Sequence, residues 1–158
     1  MSRSRILVIA VSIALAFAVG WGIRFCFFLP PADQLARVQS QLITAIEDRD
    51  YKTLKSLMSA NYLDDFGHDR TTALEAAKQI FSGYFSLTIQ TETTWNKGTR
   101  QIGMVKQKLK IEGNGTPVSQ MVTTRVNQTT EPFVFHWQNK GRWPWDWRLV
   151  QVQNEYIR

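Results

Sequence analysis

The spacing of apolar side chains changes twice along the chain, and the changes mark three regions. Residues 6–29 are almost continuously apolar, residues 33 to about 84 repeat apolar positions every three or four residues, and residues from Ser86 onward alternate apolar with polar side chains. Periods of about 3.6 and 2 are typical of amphipathic helices and half-buried strands. The pattern therefore predicts an apolar N-terminal segment, then helices, then a sheet.

Three helices are predicted in the second region. The first runs from Asp33 to about Asp48, and a second, shorter helix follows a capping aspartate at Asp50. The third begins at Thr72–Glu75, which has the spacing of a capping box, and its apolar stripe continues to Tyr84. A turn-rich connector over residues 61–70, which has room for one short strand, separates the second and third helices.

Four to five antiparallel strands are predicted in the third region. The first ends at a turn over residues 96–98, and the second covers residues 99–112, where a slip in apolar parity indicates a β-bulge. Val118, Val122 and Val126 predict a third strand, and alternating aromatic residues at 133–137 and 145–149 predict the last two. The expected fold is α+β over residues 32–158, with the helices packed on one face of a curved sheet.

The N-terminal apolar run predicts a membrane span. A helix needs roughly 20 apolar residues to cross a bilayer, and the segment 6–29 has that length. Arg3 and Arg5 precede it, so the positive-inside rule places residues 1–5 in the cytoplasm and the domain outside, in the periplasm if the source is Gram-negative. The alternative is an export signal that is cleaved after Ala18.

Composition narrows the classes of function. The net charge is +6, but three of the basic residues, Arg3, Arg5 and Arg24, lie before or within the predicted anchor, so the domain is too weakly basic to indicate nucleic-acid binding. Cys26 is the only cysteine, which excludes an intrachain disulfide and a thiolate metal site. No phosphate-binding loop or zinc signature is present, so we expect neither a cofactor nor a metal.

The order of elements resembles the nuclear-transport-factor-2-like (NTF2-like) family. The resemblance rests on Ala45–Asp50 with the apolar helix positions that follow, on the Tyr62–Arg70 connector, and on Trp147–Val150, which looks like the closing strand of the family. It implies a cone-shaped α+β domain whose mouth is a ligand pocket. Ketosteroid isomerase and scytalone dehydratase share this fold and move protons with Asp, His or Tyr side chains, whereas other members are dimerising or binding modules.

Four ionisable residues are candidates for acid–base chemistry: Tyr62, Asp65, His68 and His136. A histidine next to a carboxylate is suited to general base catalysis. The alternative is that the aspartates shape a turn and cap the next helix, while the histidines are hydrogen-bonded or face water.

Tryptophans in the C-terminal part are candidates for ligand contact. Trp137 and Trp143 are the candidates because aromatic side chains suit glycans, apolar ligands or a membrane interface. Packing beneath the helices is the alternative, and Trp143, beside Pro144 at a turn, is the most exposed candidate.

The sequence favours a membrane-anchored, extracytoplasmic module that binds a small apolar ligand or a protein partner without performing chemistry. Its expected partners are the membrane itself, through one N-terminal helix, and a second copy of the chain in a homodimer. Two alternatives stay open, an isomerase-like or dehydratase-like enzyme with an acid–base residue in its pocket, and a scaffold subunit of an envelope or secretion complex.

Overall fold

The structure, a computed structural model, describes residues 12–21, 29–141, 143 and 145–154. The chain divides at Pro30 into an N-terminal segment and a compact domain. In the N-terminal segment, residues 12–21 are helical with exposed side chains. None of the helices within the described residues combines the length and the apolar character of a membrane span. Most of the predicted anchor, residues 6–29, lies outside the described residues.

The domain contains four helices and four strands. In chain order they are α1 (Pro31–Glu47), α2 (Tyr51–Leu57), α3 (Arg70–Phe81), β1 (Tyr84–Gly98), β2 (Ile102–Gly115), α4 (Pro117–Asn127), β3 (Phe133–Asn139) and β4 (Trp147–Gln153). The strands form one sheet in the order β1-β2-β3-β4, and each neighbouring pair is antiparallel. The α+β prediction is confirmed, but with residues 12–21 the described chain has five helices instead of three.

Helix α4 replaces the strand that was predicted at Val118, Val122 and Val126, and that prediction is wrong. Thr116 caps the helix by accepting a hydrogen bond from the Ser119 amide, and Pro117 occupies its first turn, where a missing N–H costs nothing. A spacing of four residues fits one face of a helix as well as one face of a strand. The Thr-Pro pair is the local signal that selects the helix.

The cap of α3 also differs from the prediction. Asp69, and not Thr72, is the N-cap, and its Oδ1 accepts a hydrogen bond of 2.8 Å from the Thr72 amide. The backbone and side-chain hydrogen bonds from Thr72 hold the pKa of Asp69 below its usual value. The helix ends at Phe81, so Tyr84, which was predicted to continue its stripe, is the first residue of β1.

The bulge predicted on the second strand is not found on β2. The β1–β2 register shifts on β1, between Tyr84 and Ser86 and between Thr93 and Trp95, and the β3–β4 register shifts between His136 and Trp137. In β2 the strand alternates regularly, with Val105 buried while Ile102 is 62% exposed. The parity slip in the sequence therefore arises because β2 also places apolar residues on the face turned away from the helices. The connecting turn follows Gly98 and is closed by a 2.8 Å bond from the Thr99 amide to the Ile102 carbonyl.

The core lies between α1, α2 and the helix-facing side of the sheet. Trp137, Trp147, Leu35 and Val105 are almost completely buried in it. Gln39 is buried with them because it links Trp137 on β3 to Gln107 on β2 through side-chain hydrogen bonds. Buried polar groups are tolerated only when they are hydrogen-bonded in this way.

Candidate functional site

A cavity of about 390 Å³ lies between the helices and the inner face of the sheet. Its wall is formed by residues from all four helices, all four strands and the connector after α2. Almost all of its lining residues are apolar, among them Ile46, Leu74, Ile80, Val126 and Phe133. Tyr62, Asp64 and His68, all from the connector between α2 and α3, are the polar exceptions among the described lining residues. The cavity is thus an apolar space with one polar corner.

Asp64 lies at the centre of this corner and is only 8% exposed. Its Oδ1 accepts backbone hydrogen bonds from Phe66 at 3.0 Å and from His68 at 2.8 Å, which closes the tight turn that contains Gly67 at φ +84°. Its Oδ2 faces both the Tyr62 hydroxyl and His68 Nδ1, each at 3.3 Å. One carboxylate therefore shapes the loop with one oxygen and holds two ionisable side chains with the other.

Of the two side chains that contact Asp64 Oδ2, the side chain of Tyr62 is the more deeply buried. It is 6% exposed, and its hydroxyl donates to that carboxylate. Burial, and then the negative charge and hydrogen bond of Asp64, raise the pKa of Tyr62 above its usual value. Tyr62 is consequently a neutral hydrogen-bond donor at ordinary pH and is unsuited to act as a base.

His68 connects the polar corner to solvent. Its side chain is 44% exposed, and its Nδ1 lies against the buried carboxylate of Asp64. When the carboxylate accepts a hydrogen bond from Nδ1–H, the lone pair on Nε2 is left to accept a proton from another group. This arrangement orients a histidine base at the edge of an apolar cavity, which is a geometry that both ligand binding and proton transfer can use.

Asp65 and His136 belong to a different cluster on the opposite face of the sheet. Asp65 Oδ1 accepts hydrogen bonds from Gln151 at 2.8 Å and from Gln153 at 3.3 Å, and His136 Nε2 lies 2.9 Å from Gln153 Oε1. His136 lines a broad groove of about 640 Å³ on that face, together with Trp95. Of the four candidate acid–base residues, the structure therefore brings Tyr62 and His68 together and places Asp65 and His136 elsewhere.

The two tryptophan candidates, Trp137 and Trp143, lie in different environments. Trp137 is 1% exposed in the core, where its indole N–H donates to Gln39 Oε1 at 3.0 Å. Trp143 is 48% exposed in the β3–β4 loop and stacks on Trp145, with ring centroids 5.3 Å apart and ring planes 6° apart. Of the two, Trp143 is the one within reach of an external partner.

The polar corner supplies few donors for a metal ion. No group of three or more His, Cys, Asp or Glu side chains among those residues is arranged to hold a metal ion. Asp64 and His68 supply only two donors, and protein metal sites normally use three or four.

Asp64 holds the polar corner together, but sequence reasoning did not select it as a candidate, whereas it selected the neighbouring Asp65. Both lie in a connector without helical or strand periodicity, so the sequence gives no parity from which to decide which carboxylate faces inward. The available signal was the four-residue spacing between Asp64 and His68 around Gly67, which is compatible with an aspartate-centred turn.

No protein-family model and no curated protein matches the sequence. Solved structures match the domain by shape. An NTF2-like protein from Cytophaga hutchinsonii aligns with a TM-score of 0.56 and 14% identity over 78% of this chain and 96% of its own. The domain has the NTF2-like fold. The resemblance inferred from the order of elements is confirmed at that level.

Two further structures share the fold of this NTF2-like domain. One is provisionally named a dehydratase of the NTF2-like family from Streptomyces avermitilis, with a TM-score of 0.56, 15% identity, and coverage of 77% of this chain and 93% of its own. The other is provisionally named an aromatic ring hydroxylase from Novosphingobium aromaticivorans, with a TM-score of 0.58, 9% identity, and coverage of 82% and 92%. Identities this low establish shape and carry no activity across.

Proposed function

We propose that this NTF2-like domain binds a small, mainly apolar ligand in the cavity between its helices and its sheet. The observation that carries the proposal is the cavity itself, about 390 Å³ in volume and lined by apolar side chains apart from one polar corner. Small-molecule sites typically occupy roughly 300–1,000 Å³ and combine apolar walls with a few convergent polar groups. The cavity meets both criteria.

The polar corner defines the kind of ligand. Asp64 is acceptor-rich and already engaged by two backbone amides, while His68 keeps one ring nitrogen for an external partner. A ligand with an apolar body and one hydroxyl or carbonyl group would bury the body in the cavity and place the polar group beside His68. A ligand that is charged along its length would lose hydration without finding partners and is excluded.

The test uses an apolar fluorescent probe and a variant that fills the cavity. The full chain in lipid nanodiscs is titrated with 1-aminoanthracene, with empty nanodiscs as the blank. Ala77 lines the cavity from α3, so Ala77→Phe should weaken probe binding at least tenfold. Ala36 is exposed on α1, and Ala36→Phe is the matched control that should bind the probe as the wild type does. Unchanged binding in Ala77→Phe, or no saturable binding in the wild type, contradicts the proposal.

A second candidate function is acid–base catalysis of the isomerase or dehydratase type. The observation that favours it is the convergence of Tyr62, Asp64 and His68 on one corner of an apolar cavity. A histidine base held by a buried carboxylate, with a neutral tyrosine as donor nearby, is a sufficient set for moving a proton.

Two variants separate catalysis from binding. Asp64→Asn keeps an oxygen for the turn-closing amides but removes the charge, and His68→Gln keeps polarity but removes the base. A binding module should retain probe affinity within about twofold in both and should still restore a strain from which the gene has been deleted. Intact probe binding with a phenotype equal to the deletion would instead establish the catalytic alternative.

For the location, we propose a single-pass anchor over residues 6–29 with the domain outside the cytoplasm. Support comes from the length of the apolar run and from Arg3 and Arg5 before it. Fractionation followed by N-terminal sequencing tests it. The expected result is an intact N-terminus in the membrane fraction, and a soluble chain that begins after Ala18 would refute it.

A further inference from the structure

Three segments of the domain meet at one end, which we call the Pro31 end: the first turn of α1 (residues 31–35), the β1–β2 turn (residues 98–102) and the β3–β4 loop (residues 140–146). Trp147, at the base of the loop, donates its indole N–H to Gln34 Oε1 at 3.0 Å. The β1–β2 turn joins the loop through a 2.8 Å bond from the Asn139 amide to the Gln101 carbonyl. These contacts fix the three segments beside the residue at which the chain enters the domain.

The Pro31 end displays large apolar side chains to solvent. Trp143 is 48% exposed, Trp145 is 57% exposed and Ile102 is 62% exposed. The two indoles lie parallel, 5.3 Å apart. The loop that carries them is braced, because the Trp143 carbonyl accepts hydrogen bonds from Asn139 Nδ2 at 3.0 Å and from the Asp146 amide at 3.1 Å. The structure therefore holds the indoles outward on a fixed loop.

Basic residues accompany these apolar side chains. Lys97 and Arg100 are exposed beside and in the β1–β2 turn, and Arg142 follows in sequence within the β3–β4 loop, whereas Lys140 Nζ donates to Ser59 Oγ at 2.7 Å. The acidic residues of the same segments are Asp33 and Asp146. Tryptophan together with lysine and arginine is the combination that favours the interface of a bilayer, where the indole lies among the headgroups and the cations meet anionic lipid.

We propose that the Pro31 end is a membrane-docking face, which inserts Trp143 and Trp145 into the headgroup region of an anionic bilayer. The inference rests on the proposed anchor, because the Pro31 end is chosen as the docking face for its position directly after that anchor in the sequence. The predicted span ends at Leu29 and α1 begins at Pro31, and two residues reach at most about 7 Å. A connection this short limits how far Pro31 can lie from the end of the proposed anchor.

The opposite end of the domain supplies a control. Helix α4 lies there, because Tyr84 at the start of β1 donates its hydroxyl to the Ser119 carbonyl at 2.7 Å. The extended length of β1 is roughly 45 Å at 3.3 Å per residue, which is well beyond the depth of a headgroup layer. Met121 on α4 is 72% exposed and is apolar, so it matches the tryptophans in character and differs in location.

The experiment measures the depth of a probe in the full chain. In a Cys26→Ser background, Gln101→Cys, exposed in the β1–β2 turn, and, separately, Met121→Cys are labelled with a nitrobenzoxadiazole dye and reconstituted in vesicles of phosphatidylcholine and phosphatidylglycerol at a ratio of three to one. A spin label on the lipid headgroup then quenches dyes at the surface from either leaflet. We expect at least threefold stronger quenching at position 101 than at position 121, and Trp143→Ala combined with Trp145→Ala should reduce the quenching at position 101 at least twofold.

Charge reversal tests the anionic preference. Lys97→Glu combined with Arg100→Glu should reduce quenching at position 101 at least twofold while the chain still floats with the vesicles. Equal, weak quenching at positions 101 and 121 in chains that float would overturn docking and leave the anchor intact, and it is the result expected of a loop that binds a glycan or a protein. Chains that fail to float would overturn the anchor and docking with it.

Discussion

The hydrogen-bonded glutamine in the core gives the most quantitative prediction, the effect of Gln39→Leu. Gln39 is 1% exposed, its Nε2 donates to Gln107 Oε1 at 2.8 Å, and its Oε1 accepts from the Trp137 indole at 3.0 Å. Leucine fills a similar volume but leaves the Trp137 N–H and the Gln107 carbonyl oxygen buried without partners. Each orphaned group costs roughly 1–3 kcal/mol, and the gain in apolar burial offsets part of that. We expect a net loss of about 2–4 kcal/mol.

The assay is urea unfolding of the full chain in detergent micelles, followed by tryptophan fluorescence and circular dichroism. Gln138→Leu makes the same chemical change at an exposed position of β3 and should alter the free energy of unfolding by less than about 0.5 kcal/mol. Adding Gln107→Leu to Gln39→Leu removes one of the two orphaned groups, so the double variant should be more stable than the sum of the single changes implies. A loss below about 0.5 kcal/mol in Gln39→Leu, or strict additivity in the pair, would refute the reasoning.

Two further predictions concern Tyr62 and Gly103. The folded state raises the pKa of Tyr62, so the tyrosine ionises first in the unfolded chain as pH rises above about 10, and the stability of the folded state should fall there. Tyr62→Phe should lack this loss of stability when urea midpoints are compared from pH 8 to pH 11. A Cβ at Gly103 would lie 2.9 Å from Leu35 Cγ, so Gly103→Ala should cost about 1–3 kcal/mol and lower the melting temperature. Gly20, with nothing within 4 Å, is the control whose change to alanine should leave melting unaltered.

Much of the fold was predictable because strong periodicity coincides with local signals. Helix α1 buries the apolar stripe that its sequence displays, and Asp50 caps α2 as expected, with its Oδ1 accepting from the Thr53 amide at 3.0 Å. The errors occur where a pattern fits two structures. The spacing of the valines of α4 fits both a helix and a strand, and only the N-terminal cap decides for the helix. The apolar residues of β2 occupy both faces of the sheet, so only the pairing with neighbouring strands shows which of them face the helices.

The candidate site was predictable only as a region. The connector between α2 and α3 holds three of the ionisable residues that line or flank the cavity, and its density of charge was visible in the sequence. The direction of each side chain was not, because consecutive residues of an irregular loop follow no period. Asp64 turns inward to Tyr62 and His68, whereas Asp65 turns outward to Gln151. Tertiary pairing with β4 makes that choice.

The distribution of burial among the helices explains why a cavity exists at all. Helix α1 contributes six buried residues to the core, whereas none of the twelve residues of α3, all of them described, is buried. The apolar residues of α3 and α4 pack only partly against the core and also line the cavity, so these helices forgo part of the dispersion and burial energy that complete packing would supply. The proposed apolar ligand would restore those contacts. The incomplete packing of α3 and α4 would then be the source of its affinity.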